Sequence, residues 1–432
     1  MARDRVLSAI DIGSSKIVTL IAAMTDEGEA RIIGVSASPS RGLRKSQVVN
    51  IEEATEAISA SLEAAERMAG TSVAQAFLSV GGAHIASLNS HGVVAVAEPE
   101  KEITQTDVRR VIDAAKAVQL PTSRDILHVL PRGYIVDGQE GIMDPIGMSG
   151  VRLEVETHLV TGGSTAIRNL HKCVEELGVE VVGIAFGGMA SALATLSDTE
   201  KELGVILVDI GGGTTDVAIF VEGALSYSSV IPVGAINITK DLAAGLRVSL
   251  ESAEKIKLRL GEAPKHLAVL EEEKPKSKTD KEDEIDVSDL GLPEGMRTIS
   301  RKTLVEGIIK PRLNEIFTMV GLEIKRSGFG GMTPSGIVLT GGGALTVGAI
   351  EAARRNLAMP VRTGVPQHIN GLIDEIMTPS YAASVGLLLW GNSSGKGESS
   401  GSLFSGLGKI GSTVQVKGLA GKVVDLVKSF LP

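Results

Sequence analysis

Two aspartates, Asp11 and Asp209, each end an apolar run and open onto a turn of glycine and hydroxyl residues. The runs are LSAIDIGSSK (7–16) and ILVDIGGGTTD (206–216). A buried strand that delivers one carboxylate into a glycine turn suits a magnesium–polyphosphate. Glycine lets backbone N–H groups approach phosphate oxygens closely, often at φ > 0, with no Cβ in the way. A carboxylate at the strand end can hold Mg²⁺ through water, which that ion favours over a dry protein cage. One such turn also occurs in ordinary hairpins. Two can clamp a phosphate chain from both sides. A third apolar run, GIVLTGGGALTVG (336–348), ends in Gly341, Gly342 and Gly343, which open a predicted helix and offer bare backbone to a nucleoside. Together the three segments point to a nucleotide, although no GxxxxGK[ST] P-loop occurs in the chain.

The elements that must position these turns alternate between strand and helix. Residues 6–36 read as strand, turn, strand and a third strand at 30–36. Residues 51–69 place apolar positions at helical spacing in helix-favouring composition. A strand with a glycine turn follows at 76–85. The segment 85–160 breaks the rhythm: short alternating strands around one helix at 105–117, without glycine–phosphate turns, read as a binding module. The α/β pattern resumes with a helix at 164–177, a strand at 179–185 and a helix at 188–196 that leads into the second aspartate strand. Residues 237–260 and 301–327 read as helical, and a last helix is expected at 379–391. Between them, 271–289 holds nine acidic and four basic side chains and almost nothing to bury, so it reads as a mobile surface loop.

Composition narrows the class. A chain of 432 residues has room for two to four domains. Aromatic residues make up only 3% against 43% hydrophobic, so the cores must be aliphatic. A net charge of −9 argues against nucleic acid as the main partner. The single cysteine, Cys173, excludes an internal disulfide and fits a reducing compartment. The seven histidines show no zinc-ligand spacing. No secretory signal is legible, since Asp11 interrupts the N-terminal apolar run, and no apolar run is long enough to span a membrane. The body of the chain reads as cytosolic.

Its end adds a membrane. Residues 392–412 are a Ser/Gly-rich flexible linker. GNSSG (391–395) and GESSG (397–401) match the hydrolase G-x-S-x-G pattern, but neither lies on a strand-to-helix elbow, so both are compositional accidents. Residues 413–432 follow. On a helical wheel Val416, Leu419, Val423, Leu426, Val427 and Phe430 share one arc, which Val424 and Leu431 extend. Lys417, Lys422, Asp425 and Lys428 take the other side. That pattern describes an amphipathic helix lying in an anionic membrane surface. Gly418 and Gly421 weaken it as an isolated helix, as suits a segment that folds only on a surface. Such an anchor binds reversibly and becomes firm when many copies act together.

The three glycine segments are similar to the phosphate-1, phosphate-2 and adenosine motifs of the actin-like superfamily, which also holds heat-shock chaperones and sugar kinases. The stretch with Ala190 to Leu196 and PSYAASVGLLLWG (379–391) resemble its two connecting helices. SVGGAHIASLNSHGVVAV, HVLPRGYIVDGQEGIMDPIGMSGVRLEVETHLVT, IPVGAINITKDLA and the amphipathic C-terminus narrow the resemblance to the FtsA family of bacterial cell-division proteins, over residues 5–391.

The resemblance implies an α/β, actin-like, two-lobed fold with four subdomains: 1A at 1–84 and 162–198, 1C at 85–161, 2A at 199–240 and 302–391, and 2B at 241–301. It implies ATP in the cleft between 1A and 2A. Asp11 and Asp209 would then address Mg²⁺, with Gly13, Ser14, Ser15 and Lys16 on one side of the phosphates and Gly211, Gly212, Gly213 and Thr214 on the other. Gly234, Glu254, Lys257, Gly341, Gly342 and Gly343 would surround the nucleoside. The family picture adds actin-like filaments on the cytoplasmic face of the inner membrane at midcell, a tether for the tail of the tubulin-like GTPase FtsZ on 2B with Arg301 as its basic contact, and later division proteins on 1C. Residues 185–191 (AFGGMAS) offer no carboxylate or amide to position an attacking water. The expected ATPase is therefore slow, with Asp216 as the one candidate substitute. Two other readings share the fold: a type IV pilus assembly ATPase, and a small-molecule kinase. The first would not be expected to carry the lipid-binding tail, and the second needs a base that 185–191 does not supply.

Overall fold

The computed structural model describes residues 5–24, 30–96, 102–262, 283–371 and 375–396. In chain order, β1 (Arg5–Ile12), β2 (Lys16–Met24) and β3 (Ala30–Pro39) lead to a small hairpin, β4 (Leu43–Arg44) and β5 (Gln47–Val48). There follow α1 (Ile51–Ala69) and β6 (Gln75–Val80). The next block holds β7 (Ala86–Ala95), α2 (Gln105–Lys116), β8 (Arg124–Val136), β9 (Gln139–Ile142) and β10 (Arg152–Gly163). Then come α3 (Ser164–Glu175), β11 (Glu180–Phe186), α4 (Gly187–Thr195) and α5 (Asp198–Leu203). The second half runs β12 (Val205–Ile210), β13 (Thr215–Val221), β14 (Ala224–Ile231), α6 (Ile236–Leu246) and α7 (Leu250–Gly261). It continues through β15 (Glu284–Asp286), β16 (Thr298–Ser300), α8 (Arg301–Leu304) and α9 (Lys310–Ser327). It ends with β17 (Ile337–Thr340), α10 (Ala349–Leu357), β18 (Val361–Thr363), β19 (Ile369–Gly371) and α11 (Ala382–Lys396).

Two sheets repeat one plan. The first has the order β11-β6-β1-β2-β3-β19, the second β14-β13-β12-β17-β18. In each, an antiparallel three-strand meander is extended by parallel strands: β1 pairs β2 antiparallel and β6 parallel, and β12 pairs β13 antiparallel and β17 parallel. Asp11 and Asp209 thus hold equivalent places, each one residue before the end of the first meander strand. Strands covered on both faces read as continuous apolar runs; every residue of β13 is buried. The cores are aliphatic, with Phe186 and Phe317 the largest fully enclosed side chains.

The two connecting helices meet backbone to backbone. A Cβ on Gly386 of α11 would stand 1.7 Å from the Ala190 carbonyl oxygen of α4, so only glycine permits that crossing. The long helix expected at 301–327 is one continuous path with a π-helical turn at Val305–Ile309. The wider turn lies just ahead of Pro311, which supplies no N–H and whose ring would crowd the carbonyl four residues back. The helix expected at 237–260 is two: Arg247 takes a left-handed φ of 57° and Ser249 caps α7 through the Ser252 amide.

Two expectations are corrected. Residues 283–289 of the acidic segment are structured. Asp283 accepts from the Lys302 amide and the Ser300 hydroxyl, Asp286 from Ser288, and Val287 is fully buried. The carboxylates of Asp283 and Asp286 serve as caps and Val287, with Ile285 packed on the same core, as an anchor, which a charge count does not reveal; residues 271–282 lie outside the described residues. The linker does not begin at Asn392, because α11 runs on to Lys396. The rest of the linker and the amphipathic segment 413–432 lie outside the described residues. No helix among the described residues is long and apolar enough to cross a membrane.

The insert forms its own sheet, β7-β10-β8-β9, with α2 pressed onto β7 so closely that a Cβ on Gly92 would sit 2.3 Å from the Val111 carbonyl. A capping box of Thr104 and Asp107 starts α2. The insert is rooted in the first sheet yet touches the edge of the second. Ser87 Oγ and Asn89 Nδ2 donate to the carbonyls of Ser228 and Ser226 on β14, at 2.7 and 3.2 Å. His158 bridges Asn89 Oδ1 (2.6 Å) and Ser228 Oγ (2.9 Å). Burial, with Arg132 and His128 nearby, pushes His158 down to about 3, and burial pushes His128 down to about 4. Below pH 6.5 the unfolded chain protonates both rings while the folded one keeps them neutral. Stability therefore falls with pH, through about pH 4 for His128 and about pH 3 for His158. We expect the unfolding free energy from denaturant titrations to drop by up to about 1.4 kcal/mol per pH unit for each ring across that window. His158→Gln should remove up to about 1.4 kcal/mol per pH unit from the slope between pH 6.5 and 4; an unchanged slope refutes the assignment.

Candidate functional site

The site grows from the two equivalent strand ends. In the first loop the Gly13 amide donates to the Lys16 carbonyl (3.2 Å); in the second, the Gly211 amide donates to the Thr214 carbonyl (2.9 Å). Both turns therefore have the same closing bond. The loops approach each other across the cleft: a Cβ on Gly212 would lie 2.6 Å from Ser15 Cβ, and one on Gly213 2.6 Å from Ser14 Oγ. Gly234 packs behind the second loop, with Ala235 and Ile236 donating to the carbonyls of Gly211 and Gly212 (both 2.9 Å). Side chains at these glycines would force the loops apart.

Beneath the loops lies a cavity of about 90 Å³ whose lining includes Gly13, Ser14, Gly211, Gly212 and Thr214 and all three of Asp11, Asp209 and Asp216. Two carboxylates are oriented by hydroxyls. Ser79 Oγ donates to Asp11 Oδ1 and Ser191 Oγ to Asp209 Oδ2, each at 2.5 Å. Ser79 sits on β6, beside β1 in the first sheet, and Ser191 on α4, so Asp11 is fixed from within its own sheet and Asp209 by the helix that precedes the second sheet. Asp216 stands directly across from Asp209 in the β12–β13 register and is 8% exposed, with Oδ1 lacking any partner.

The electrostatics ask for a cation. Burial raises Asp11 from its ordinary value, against the Ser79 bond and Lys16; burial and the Asp11 charge push Asp209 up to about 6 despite Ser191. Asp216 is raised well above its ordinary value, by burial and then by Asp209 and Asp11, with a Gly188 amide bond opposing. Three like charges in one low-dielectric hollow cost stability, and an unpartnered carboxylate oxygen costs more. Positive charge in the cavity would remove that cost, so the donor set fits magnesium. Among the described residues no three acidic, imidazole or thiol groups converge tightly enough to ligate an ion together.

The other sequence-predicted residues lie off this lining. Lys16 places its Nζ 3.7 Å over the Tyr381 ring, and burial lowers its pKa against the pull of Asp11. Glu254 and Lys257 bind each other at 2.7 Å and share Thr239, at 2.6 and 2.9 Å. Gly341 (φ 80°) is pressed on β12, where a Cβ would be 2.1 Å from Asp209 Oδ1, and Gly343 packs on Ile210. Gly342 follows Gly341 into a short 3₁₀ turn. Arg301 is half-buried at the start of α8, with Arg297 and Lys302 exposed nearby. Sequence reasoning missed Ser46, Ser79, Gly187 and Ser191. Ser79, just before the Gly81–Gly82 turn, carried a faint signal; Ser46 carried none.

The comparisons agree with this frame. Two family models match: "SHS2 domain inserted in FTSA" over residues 82–161 and "Cell division protein FtsA" over 206–386. Curated relatives include the cell division protein FtsA of Pseudomonas aeruginosa, 43% identical over 90% of this chain and 89% of its own length. That of Escherichia coli is 36% identical over 91% and 92%. Among solved structures, a PilM–PilN type IV pilus biogenesis complex superposes with a TM-score of 0.60 at 13% identity, covering 89% of this chain and 98% of that one. MreB5 of Spiroplasma citri bound to ADP does so at 0.53 and 15%, covering 92% and 99%. At such identities the structural likeness establishes an actin-like α/β fold. The sequence relatives establish more: the chain belongs to the FtsA family of cell-division proteins.

Proposed function

We propose that this chain is a membrane-tethered, actin-like division subunit that binds Mg-ATP between its two glycine loops. On this reading it assembles into filaments on the cytoplasmic face of the inner membrane at midcell and holds the FtsZ tail there. The observation that carries the nucleotide half is the convergence of Asp11, Asp209 and Asp216 beneath two equivalent glycine loops. Bound magnesium would neutralise the charge of the phosphates. Asp11 and Asp209, aimed by Ser79 and Ser191, would hold its water shell. Amides of Gly13, Ser14, Ser15 and of Gly211, Gly212, Gly213 and Thr214 would face the phosphates. Lys16, if it leaves Tyr381, would add charge. Gly341, Gly342, Gly343 and Gly234 would give a nucleoside close backbone, with the Glu254–Lys257 pair at its edge.

Hydrolysis is expected to be slow. Residues 185–191 supply no water-positioning side chain. Asp216 has an oxygen to offer a water, but burial and its neighbours favour its protonated form, which makes it a poor base. Positioning dominates phosphoryl transfer, so binding without rapid turnover is physically consistent. Nucleotide would then act on assembly.

For the partners, 1A, 1C, 2A and 2B are taken with the boundaries above. Arg301, Arg297 and Lys302 would meet an acidic FtsZ tail, with Asp283 tempering their charge, and the insert would meet later division proteins. The tail 413–432 would bind anionic lipid. Co-sedimentation with anionic liposomes tests the membrane half, comparing the full chain with one ending at Ser412, with and without Mg-ATP. The full chain alone should pellet, and more so with Mg-ATP, because assembly multiplies a weak anchor. If both forms stay in solution, the tail is a protein-docking helix.

A further inference from the structure

The hairpin β4–β5 turns in two residues, since Arg44 pairs with Gln47. Lys45 and Ser46 both take positive φ, 49° and 58°. That is the pair of left-handed conformations a type I′ turn requires, for which Asn-Gly is the favoured sequence. Neither residue here is Asn or Gly, so the tip is strained and its surroundings must hold it. They hold it at the cavity. A Cβ on Gly213 of the second loop would lie 3.2 Å from Lys45 Cα, and one on Gly81 3.5 Å from Ser46 Cβ. Ser46 is part of the cavity lining.

Ser46 also joins the two phosphate loops. Its amide donates to Ser14 Oγ at 2.6 Å, and its hydroxyl lies 3.2 Å from Ser14 Oγ and 3.3 Å from Thr214 Oγ1. Three hydroxyls from three separate elements therefore meet at the cavity rim. Each carries one proton, and only two contacts join them, so at least one proton is left to donate elsewhere. Ser14 and Thr214 already receive or share bonds through Ser46, which makes Ser46 the centre of the chain. An arrangement of convergent hydroxyl donors, fixed on a strained turn, is suited to an anion with several acceptor oxygens.

We propose that the Ser46 hydroxyl is a ligand of the terminal phosphate, and that with Ser14 and Thr214 it makes the site prefer a nucleoside triphosphate over a diphosphate. The inference rests on the reading that this cavity holds a magnesium nucleotide. Gly341 packs on Asp209 at the β12 end, whereas the hairpin tip packs on the far turn of the second loop at Gly213. With the nucleoside beside Gly341, the phosphate nearest the tip is the last of the chain. A diphosphate would leave the three hydroxyls to one another.

The test is equilibrium binding of Mg-ATP and Mg-ADP to the full chain, by calorimetry, for the wild type, Ser46→Ala and Ser46→Gly. Both variants should lose about tenfold in Mg-ATP affinity, the scale of one hydrogen bond to a charged group, with Mg-ADP affinity changed less than about twofold. Ser46→Gly controls for folding. Glycine adopts positive φ freely, so its thermal midpoint should equal or exceed that of the wild type while the selective loss remains. Equal losses for both nucleotides would make Ser46 a prop for the loops and overturn the proposal. So would retention of wild-type affinity for both. If the wild type itself binds neither nucleotide, the reading of the cavity fails and this inference falls with it.

Discussion

Asp209→Asn should lower Mg-nucleotide affinity about a hundredfold or more, roughly 3 kcal/mol, while raising the melting temperature of the nucleotide-free chain by about 1–2 °C. The two effects share a cause. Asp209 is held between Ser191 and the pressed Gly341 backbone, in a hollow it shares with Asp11 and Asp216. Its charge raises Asp216, and Asp11 raises it in turn. Removing one charge relieves that repulsion, and the amide oxygen still accepts from Ser191. What is lost is the anion that a hydrated magnesium needs. A purely structural carboxylate would show the opposite pattern, with stability lost and ligand affinity kept. Calorimetry and thermal melts on the same preparations separate the two. Undiminished Mg-ATP affinity in Asp209→Asn would sink the assignment of this cavity.

The parts of the site that were legible in the sequence were those written into backbone demands. Asp11 and Asp209 stand out because an acid at the end of an apolar strand, followed by glycine, has few packing explanations. The crossing of α4 and α11 was foreseen as two helices, although the contact that requires Gly386 depends on where Ala190 lies. The hydroxyls that complete the site were not legible. Ser46, Ser79 and Ser191 come from a hairpin tip, a strand and a helix, and serine is too common for its type to mark a role. Their bonds to Ser14, Asp11 and Asp209 span 32, 68 and 18 residues, so only folding brings them together. Composition misled at two places for related reasons. Residues 283–289 are acidic but use their carboxylates as caps, and α11 continues through Ser/Gly-rich sequence to Lys396 because preceding helical turns already carry the nucleation cost.

Replacing Val423 and Phe430 with glutamate should release the full chain from anionic liposomes and leave Mg-ATP affinity within about twofold of the wild type. Each apolar side chain buried in lipid contributes about 1.5–3 kcal/mol, and each added negative charge costs about 1 kcal/mol near an anionic surface. The combined loss is at least a thousandfold in partitioning, against an anchor comparable to a single acyl chain. Nothing in the tail needs to change for filaments to form in solution, so Mg-ATP-dependent assembly measured by light scattering should persist. That separation is the informative part. If nucleotide affinity falls with membrane binding, the segment 413–432 packs on the folded body and its apolar arc serves the protein's own core. If sedimentation with liposomes is undiminished in the double variant, the lysines at 417, 422 and 428 carry the attachment by charge alone. In that case raising the salt to 0.5 M should abolish it, because screening weakens exposed charges and leaves apolar burial intact. Retention at high salt in the wild type and loss in the double variant would identify the apolar arc as the anchor.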